Sequence, residues 1–172
     1  MFKVGDVVVY SVHGLCRIND ICEKTIANET KMYYVLNPLD QPSLTISTPV
    51  ENKGLIMKMM DKEEAEEILH SFAEPGVDWI NEVRKRMAQY NQMVKSGDRR
   101  QIAGVLNTLM CKNLEASMNK KKLYDQDRRL MENIQNVLFK ELARVLDKSL
   151  DEVYSLVEEM VMKQINAAKE TV

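Results

Sequence analysis

Apolar positions in the first 50 residues fall in short β-branched runs, whereas those beyond Asp61 recur every three or four residues. The runs are Val7–Tyr10, 15–24, 31–37 and 43–49, rich in Val, Ile, Thr and Tyr. His13-Gly14, Ala27-Asn28-Glu29 and Asp40-Gln41-Pro42 separate them. Such runs between turn formers predict four short antiparallel strands. Strands this short cannot stand alone, so they must build a small, strongly bent sheet or barrel. If the sheet is open, its edge is a template on which a partner can pair.

The longer period starts at Asp61, which has capping-box spacing to Glu64 and is followed by Ala65, Ile68, Leu69 and Phe72 on one face. Glu74-Pro75-Gly76 stops that acidic helix. Four more helices are predicted. The first covers about 78–95, with Ile80, Val83, Met87, Tyr90 and Val94 in a stripe, and Ser96-Gly97 ends it. The second starts at Asp98 and carries Ile102, Val105, Leu106, Leu109 and Met110. The third, about 122–146, carries Leu130, Ile134, Val137, Leu138 and Leu142. The fourth is capped by Ser149 with Glu152 and shows Val153, Leu156, Val157, Met160 and Val161. Single apolar stripes must pack against one another, so these helices form a bundle or compact all-α domain. The fold class is α+β with two domains: a β module at 1–58, an acidic helix and linker at 59–76, and a helical domain at 77–172.

With 45% hydrophobic and 29% charged residues, the composition is that of an ordinary soluble globular protein. No apolar run approaches the roughly 20 residues of a membrane helix, and no signal-peptide pattern opens the chain. Cys16, Cys22 and Cys111 show no Cys-x-x-Cys spacing, so reduced thiols and a cytoplasmic location are expected. Charge is uneven: residues 61–72 hold 1 basic against 5 acidic side chains, and residues 73–130 hold 12 against 7. A basic middle is where a polyanion would meet the chain, although on charge alone a solvated surface of ordinary character is the better account.

Catalytic patterns are absent from the sequence. His13 and His70 lie in different modules with no ligand-spaced partner, and there is no Gly-rich phosphate loop, Gly-x-Ser-x-Gly or Asp-rich metal loop. No cofactor, metal, membrane or small-molecule substrate is expected, and a non-enzymatic binding role is. Trp79, the single tryptophan, opens the first predicted helix of the basic half, about 100° from Ile80 at the margin of the stripe. It either closes the edge of the core or stands beside Arg84, Lys85 and Arg86 as an aromatic for stacking on bases or entering a minor groove. Arg99-Arg100, Lys120-Lys121-Lys122 and Arg128-Arg129 add cations that also read as charged helix ends.

Phe2-Lys3-Val4-Gly5-Asp6-Val7-Val8-Val9-Tyr10 with His13-Gly14, then Tyr34-Val35-Leu36, Leu44-Thr45-Ile46, Val50-Glu51-Asn52 and Asp78-Trp79 form an ordered set. Ser96-Gly97-Asp98 and Lys140-Glu141-Leu142-Ala143 extend it to about residue 160. Together these pieces resemble the CarD/CdnL family of bacterial transcription regulators. The first part is also similar to a module of the transcription-repair coupling translocase. The resemblance implies a Tudor-like module that binds the RNA polymerase β subunit through Lys24, Leu44, Thr45, Ile46 and Ser47. It also implies a helical module that contacts promoter DNA at the upstream edge of the melted bubble. There the residue matching Trp79 enters the minor groove, and Arg84, Lys85, Arg86, Arg128 and Arg129 supply cations. DNA contact is then largely sequence-independent, because minor-groove and phosphate contacts carry little base code.

Four positions depart from the family pattern. Ser11 replaces a frequent proline, Ser47 stands where relatives carry an arginine, and Asn81 and Glu82 replace residues that are basic in some relatives. The Ser47 change shifts polymerase contact toward backbone pairing along 44–49 and toward Lys24. The alternative function is a protein–protein adaptor that docks a translocase or repair factor through the β module, without touching DNA.

Overall fold

A computed structural model describes residues 1–10, 13–52 and 54–171. Ser11, one of the departures from the family pattern, lies outside the described residues. The chain divides into two compact units, Met1–Met59 and Met60–Val172.

The first unit is a five-stranded antiparallel sheet. Its strands are β1 (Val7–Tyr10), β2 (Gly14–Ile26), β3 (Glu29–Pro38), β4 (Ile46–Pro49) and β5 (Ile56–Lys58), in the order β4-β3-β2-β1-β5. Gly5 and Asp6 lead the chain into β1: the Asp6 carboxylate accepts the Lys3 amide at 2.8 Å, and the Gly5 amide donates to the Ile18 carbonyl at 2.7 Å. β2 and β3 run longer than the predicted 15–24 and 31–37 because Ala27 and Asn28 close a two-residue turn with φ of 52° and 65°. Two consecutive positive φ angles give a turn whose twist matches the strands, so the ladder continues to Ile26 and Glu29. Val8, Cys16, Ile18, Tyr34 and Leu36 form the core of the unit, with Phe2, Tyr10, Ile46 and Ile56 around them.

Two strand expectations need correction. Residues 43–45, predicted to be strand, do not join the ladder. The Asn37 amide Nδ2 donates to the Pro42 and Leu44 carbonyls at 3.0 and 2.8 Å and holds them in a loop beside β4. β5 has three residues, too few to show a period in the sequence, and it pairs with β1 in the register Val8↔Lys58 to Tyr10↔Ile56. No ladder joins β4 to β5 among the described residues, so the sheet is open, with one of them at each edge.

The second unit holds α1 (Lys62–Ser71), α2 (Val83–Lys95), α3 (Arg99–Met118), α4 (Asp125–Val145) and α5 (Leu150–Glu170). Asp61, Asp98 and Ser149 each accept backbone amides in the first turn of α1, α3 and α5, so all three expected caps form. α3 is the central helix and packs against the other four. The acidic helix α1 is not a linker. Ala65, Ile68, Leu69 and Phe72 belong to the same core as Leu106, Leu109, Phe139 and Leu142. The helix predicted over 78–95 begins only at Val83, which leaves Trp79 in an irregular segment ahead of it.

Candidate functional site

Side chains from α2 and α3 tie down the segment that carries Trp79. The Asn107 amide donates to the Glu74 carbonyl at 2.7 Å, and the Thr108 hydroxyl to the Val77 carbonyl at 2.6 Å. The Val77 amide donates to the Gly104 carbonyl at 3.2 Å. A Cβ at Gly76 would fall against the Gly104 carbonyl and the Thr108 hydroxyl, so the backbone passes there only as glycine. Further along, the Tyr90 hydroxyl donates to the Asp78 carbonyl at 2.7 Å. Burial pushes the Tyr90 phenol up from its ordinary pKa, which keeps it a donor.

Arg86 completes the clamp. Its Nη1 donates to the Ile80 carbonyl at 2.7 Å and to the Asn81 carbonyl at 3.3 Å. Its Nε and Nη2 meet Asp127 Oδ1 and Oδ2 at 2.9 and 2.6 Å, a two-pronged pair with a carboxylate from α4. Arg86 is 1% exposed and Asp127 fully buried. The hydrogen bonds to Asp127 hold the guanidinium pKa above its ordinary range. The guanidinium carbon lies 4.1 Å from the centroid of the Trp79 ring, and Lys112 Nζ of α3 lies 5.2 Å from it.

Trp79 is half-buried: it packs against the margin of the helical core and leaves part of its surface open to solvent. Arg86 is a correction. It was expected among the phosphate contacts, but it is buried and already neutralised by Asp127. Arg84 and Lys85 are exposed. Arg128 is exposed too, but it is shared between Asp125 and Glu132, each at 3.2 Å. Arg129 is exposed on α4, two residues after the buried Asp127 and so on a different face of the helix. Asp127, Tyr90 and Lys112 were not picked out as site residues from sequence. Asp127 carried a signal, since it stands three and four residues before Leu130 and Met131, on the buried stripe of α4.

In the β unit, two residues singled out in the sequence meet: Lys24 Nζ donates to Ser47 Oγ at 2.7 Å. By register they are two strands and four residues apart, about 16 Å in a flat sheet and beyond the reach of their side chains, so the sheet must coil strongly here. Leu44, Thr45 and Ser47 are exposed, while Ile46 is half-buried against the core. The Val50 amide donates to Met32 at 2.9 Å, so by antiparallel alternation Thr48 and Ile46 also turn their backbone groups toward β3. Those of Ser47 face outward from the edge, and Pro49 has no amide to offer on that side.

His13 stacks on Tyr10 at 5.7 Å, and no group of three His, Cys, Asp or Glu among the described residues is placed to hold a metal. Burial pushes the Cys16 and Cys111 thiols up to about 11, which leaves them weak nucleophiles. No helix among the described residues is long and apolar enough to cross a membrane.

Each of the two units matches a known domain. The family model for the CarD-like/TRCF RID domain matches residues 2–60, and that for the CarD C-terminal domain matches residues 67–158. The chain is a CarD-family protein. This CarD-family chain is 26% identical over 144 residues to the candidate transcription factor YdeB of Bacillus subtilis (strain 168), covering 83% of the chain and 90% of the relative. The two family matches fall one on each structural unit of the CarD-family chain, separated near the first turn of α1.

Proposed function

We propose that this CarD-family protein regulates transcription by docking its β unit on the RNA polymerase β subunit and presenting Trp79 to promoter DNA at the upstream edge of the melted bubble. The observation that carries the reading is the partly exposed indole on a clamped segment, with exposed Arg84, Lys85 and Arg129 on neighbouring elements. A flat apolar ring fits an opened base step and has no place in a closed duplex. It therefore acts as a ligand of the open state, and shifts the equilibrium by its differential affinity. A base–aromatic contact of roughly 1–3 kcal/mol corresponds to about a five- to 150-fold shift. Tethering through polymerase raises the local concentration of the ring, so weak intrinsic DNA affinity is sufficient. On the β unit, the outward Ser47 backbone and the Lys24 ammonium support docking by strand addition at β4.

An open-complex lifetime assay tests this. Trp79→Ala should shorten the lifetime by about five- to 150-fold while polymerase pull-down persists. An unchanged lifetime refutes the DNA contact. Charge reversal at Lys24 should weaken the pull-down and leave the helical unit folded. The adaptor reading has one observation in its favour, because the model that matches residues 2–60 covers the TRCF RID domain as well as CarD-like ones. It predicts effects that do not depend on DNA.

A further inference from the structure

We infer that Arg86 and Asp127 are a positioning pair that sets the start of α2 and thereby the pose of Trp79. The inference rests on the reading of Trp79 as the residue that meets DNA. The apolar stripe Ile80, Val83, Met87, Tyr90 favours a helix that begins before Trp79, yet α2 begins at Val83. In a helix extended toward the N-terminus, the Ile80 and Asn81 carbonyls would accept the amides of Arg84 and Lys85. Here both carbonyls are taken by Arg86 Nη1 instead, and Glu82 adopts an extended ψ of 117° as the N-cap. The side-chain cap usual at that position is missing, and the Arg86 amide closes the first turn on the Glu82 carbonyl at 2.9 Å.

One guanidinium thus makes three connections. It occupies the carbonyls of the Trp79 segment, locks onto the α4 carboxylate at two points, and lies 4.1 Å from the indole centroid. A planar fork with donors along several edges and a stacking surface can do this, and a lysine ammonium cannot. Among the described residues the Asp127 carboxylate hydrogen-bonds Arg86 alone, and it has no exposure to solvent, so it is committed to holding Arg86. Arg84 and Lys85 are left to face solvent, while the third cation of the same run has a structural duty.

Trp79 is the only tryptophan, so its fluorescence reports this pose in the full-length protein. The double variant Arg86→Met/Asp127→Leu keeps the volume and leaves no buried charge, an exchange that buried ion pairs commonly tolerate. Arg86→Lys keeps the charge, loses the fork, and gives the same readouts if the double variant does not fold. In a folded variant the indole emission should shift to the red, acrylamide quenching should rise, and open-complex lifetime should fall toward that of Trp79→Ala. Emission and quenching identical to the wild type would overturn the inference, because a pair that merely braced α2 against α4 would leave the indole where it is. Altered fluorescence with a wild-type lifetime would overturn it too, provided Trp79→Ala shortens the lifetime. If Trp79→Ala has no effect on lifetime, the DNA reading fails, and the fluorescence arm alone decides whether the pair poses the ring.

Discussion

Asp127 and Glu141 are both carboxylates on the core-facing side of α4, and each is buried against an arginine. Asp127 meets Arg86, while Glu141 takes Arg99 Nη2 at 2.7 Å and the Met60 amide at 2.9 Å. Removing one partner strands the other, so Asp127→Ala should cost about 3–5 kcal/mol in urea unfolding, well above the cost of the double apolar replacement. Glu141 differs in its titration. Burial raises its pKa above the ordinary glutamate value of 4.5, and the Met60 amide and Arg99 only partly offset this. The folded chain therefore holds the Glu141 proton to higher pH than the unfolded chain does. Stability from this group is fully present below 4.5 and is lost as pH rises through the raised folded value. Glu141→Gln should flatten that part of the pH dependence, measured as urea midpoints between pH 4.5 and 7.5. Neither arginine partner was legible in the sequence. Arg84, Lys85 and Arg86 are consecutive and alike in chemistry, and only the packing of α4 separates the buried one from its exposed neighbours.

Elements were readable where their signals are local. Asp61, Asp98 and Ser149 cap their helices because an oxygen three residues ahead of an amide is enough. The start of α2 was misread because its stripe is a local signal, while the contacts that override it come from Arg86 and Tyr90 later in the same helix and Asp127 on another. The three residues of β5 carry too little pattern to read. At the β2–β3 turn, Ala27 sits at φ 52°, where a Cβ costs about 1–2 kcal/mol. Ala27→Gly trades that for the greater chain entropy of glycine, a net gain of up to about 1 kcal/mol, seen as slower amide exchange along the hairpin. On β4, Ser47→Pro removes an outward amide and no rung of the β3 ladder. The far-UV spectrum should therefore stay native while polymerase pull-down falls.

Across the whole molecule, a net charge of −2 conceals a basic middle, and the cations of that middle are not equivalent. Arg86 and Arg128 are paired, whereas Arg84, Lys85 and Arg129 are exposed and Lys112 lies over the Trp79 ring. Stabilisation of the open complex should weaken as salt rises, and each exposed cation that holds a phosphate should reduce the slope of the log–log plot by about 1 when replaced by alanine. Arg128→Ala should change that slope less than Arg84→Ala or Arg129→Ala, since Asp125 and Glu132 already share its charge. The two-unit plan was visible in the change of hydrophobic period. Where the helical unit starts was not, because α1 carries an acidic outer face that reads as a connector while its inner face completes the helical core.

The open sheet has a consequence for life in a crowded cell. Between the loop held by Asn37 and the ring of Pro49, β4 offers a single outward rung, at Ser47. So brief an edge is a poor template for stacking copy after copy of the chain at β4. Only a partner that brings further contacts would remain long enough to use it, so the shortness of the strand works as a filter on who binds.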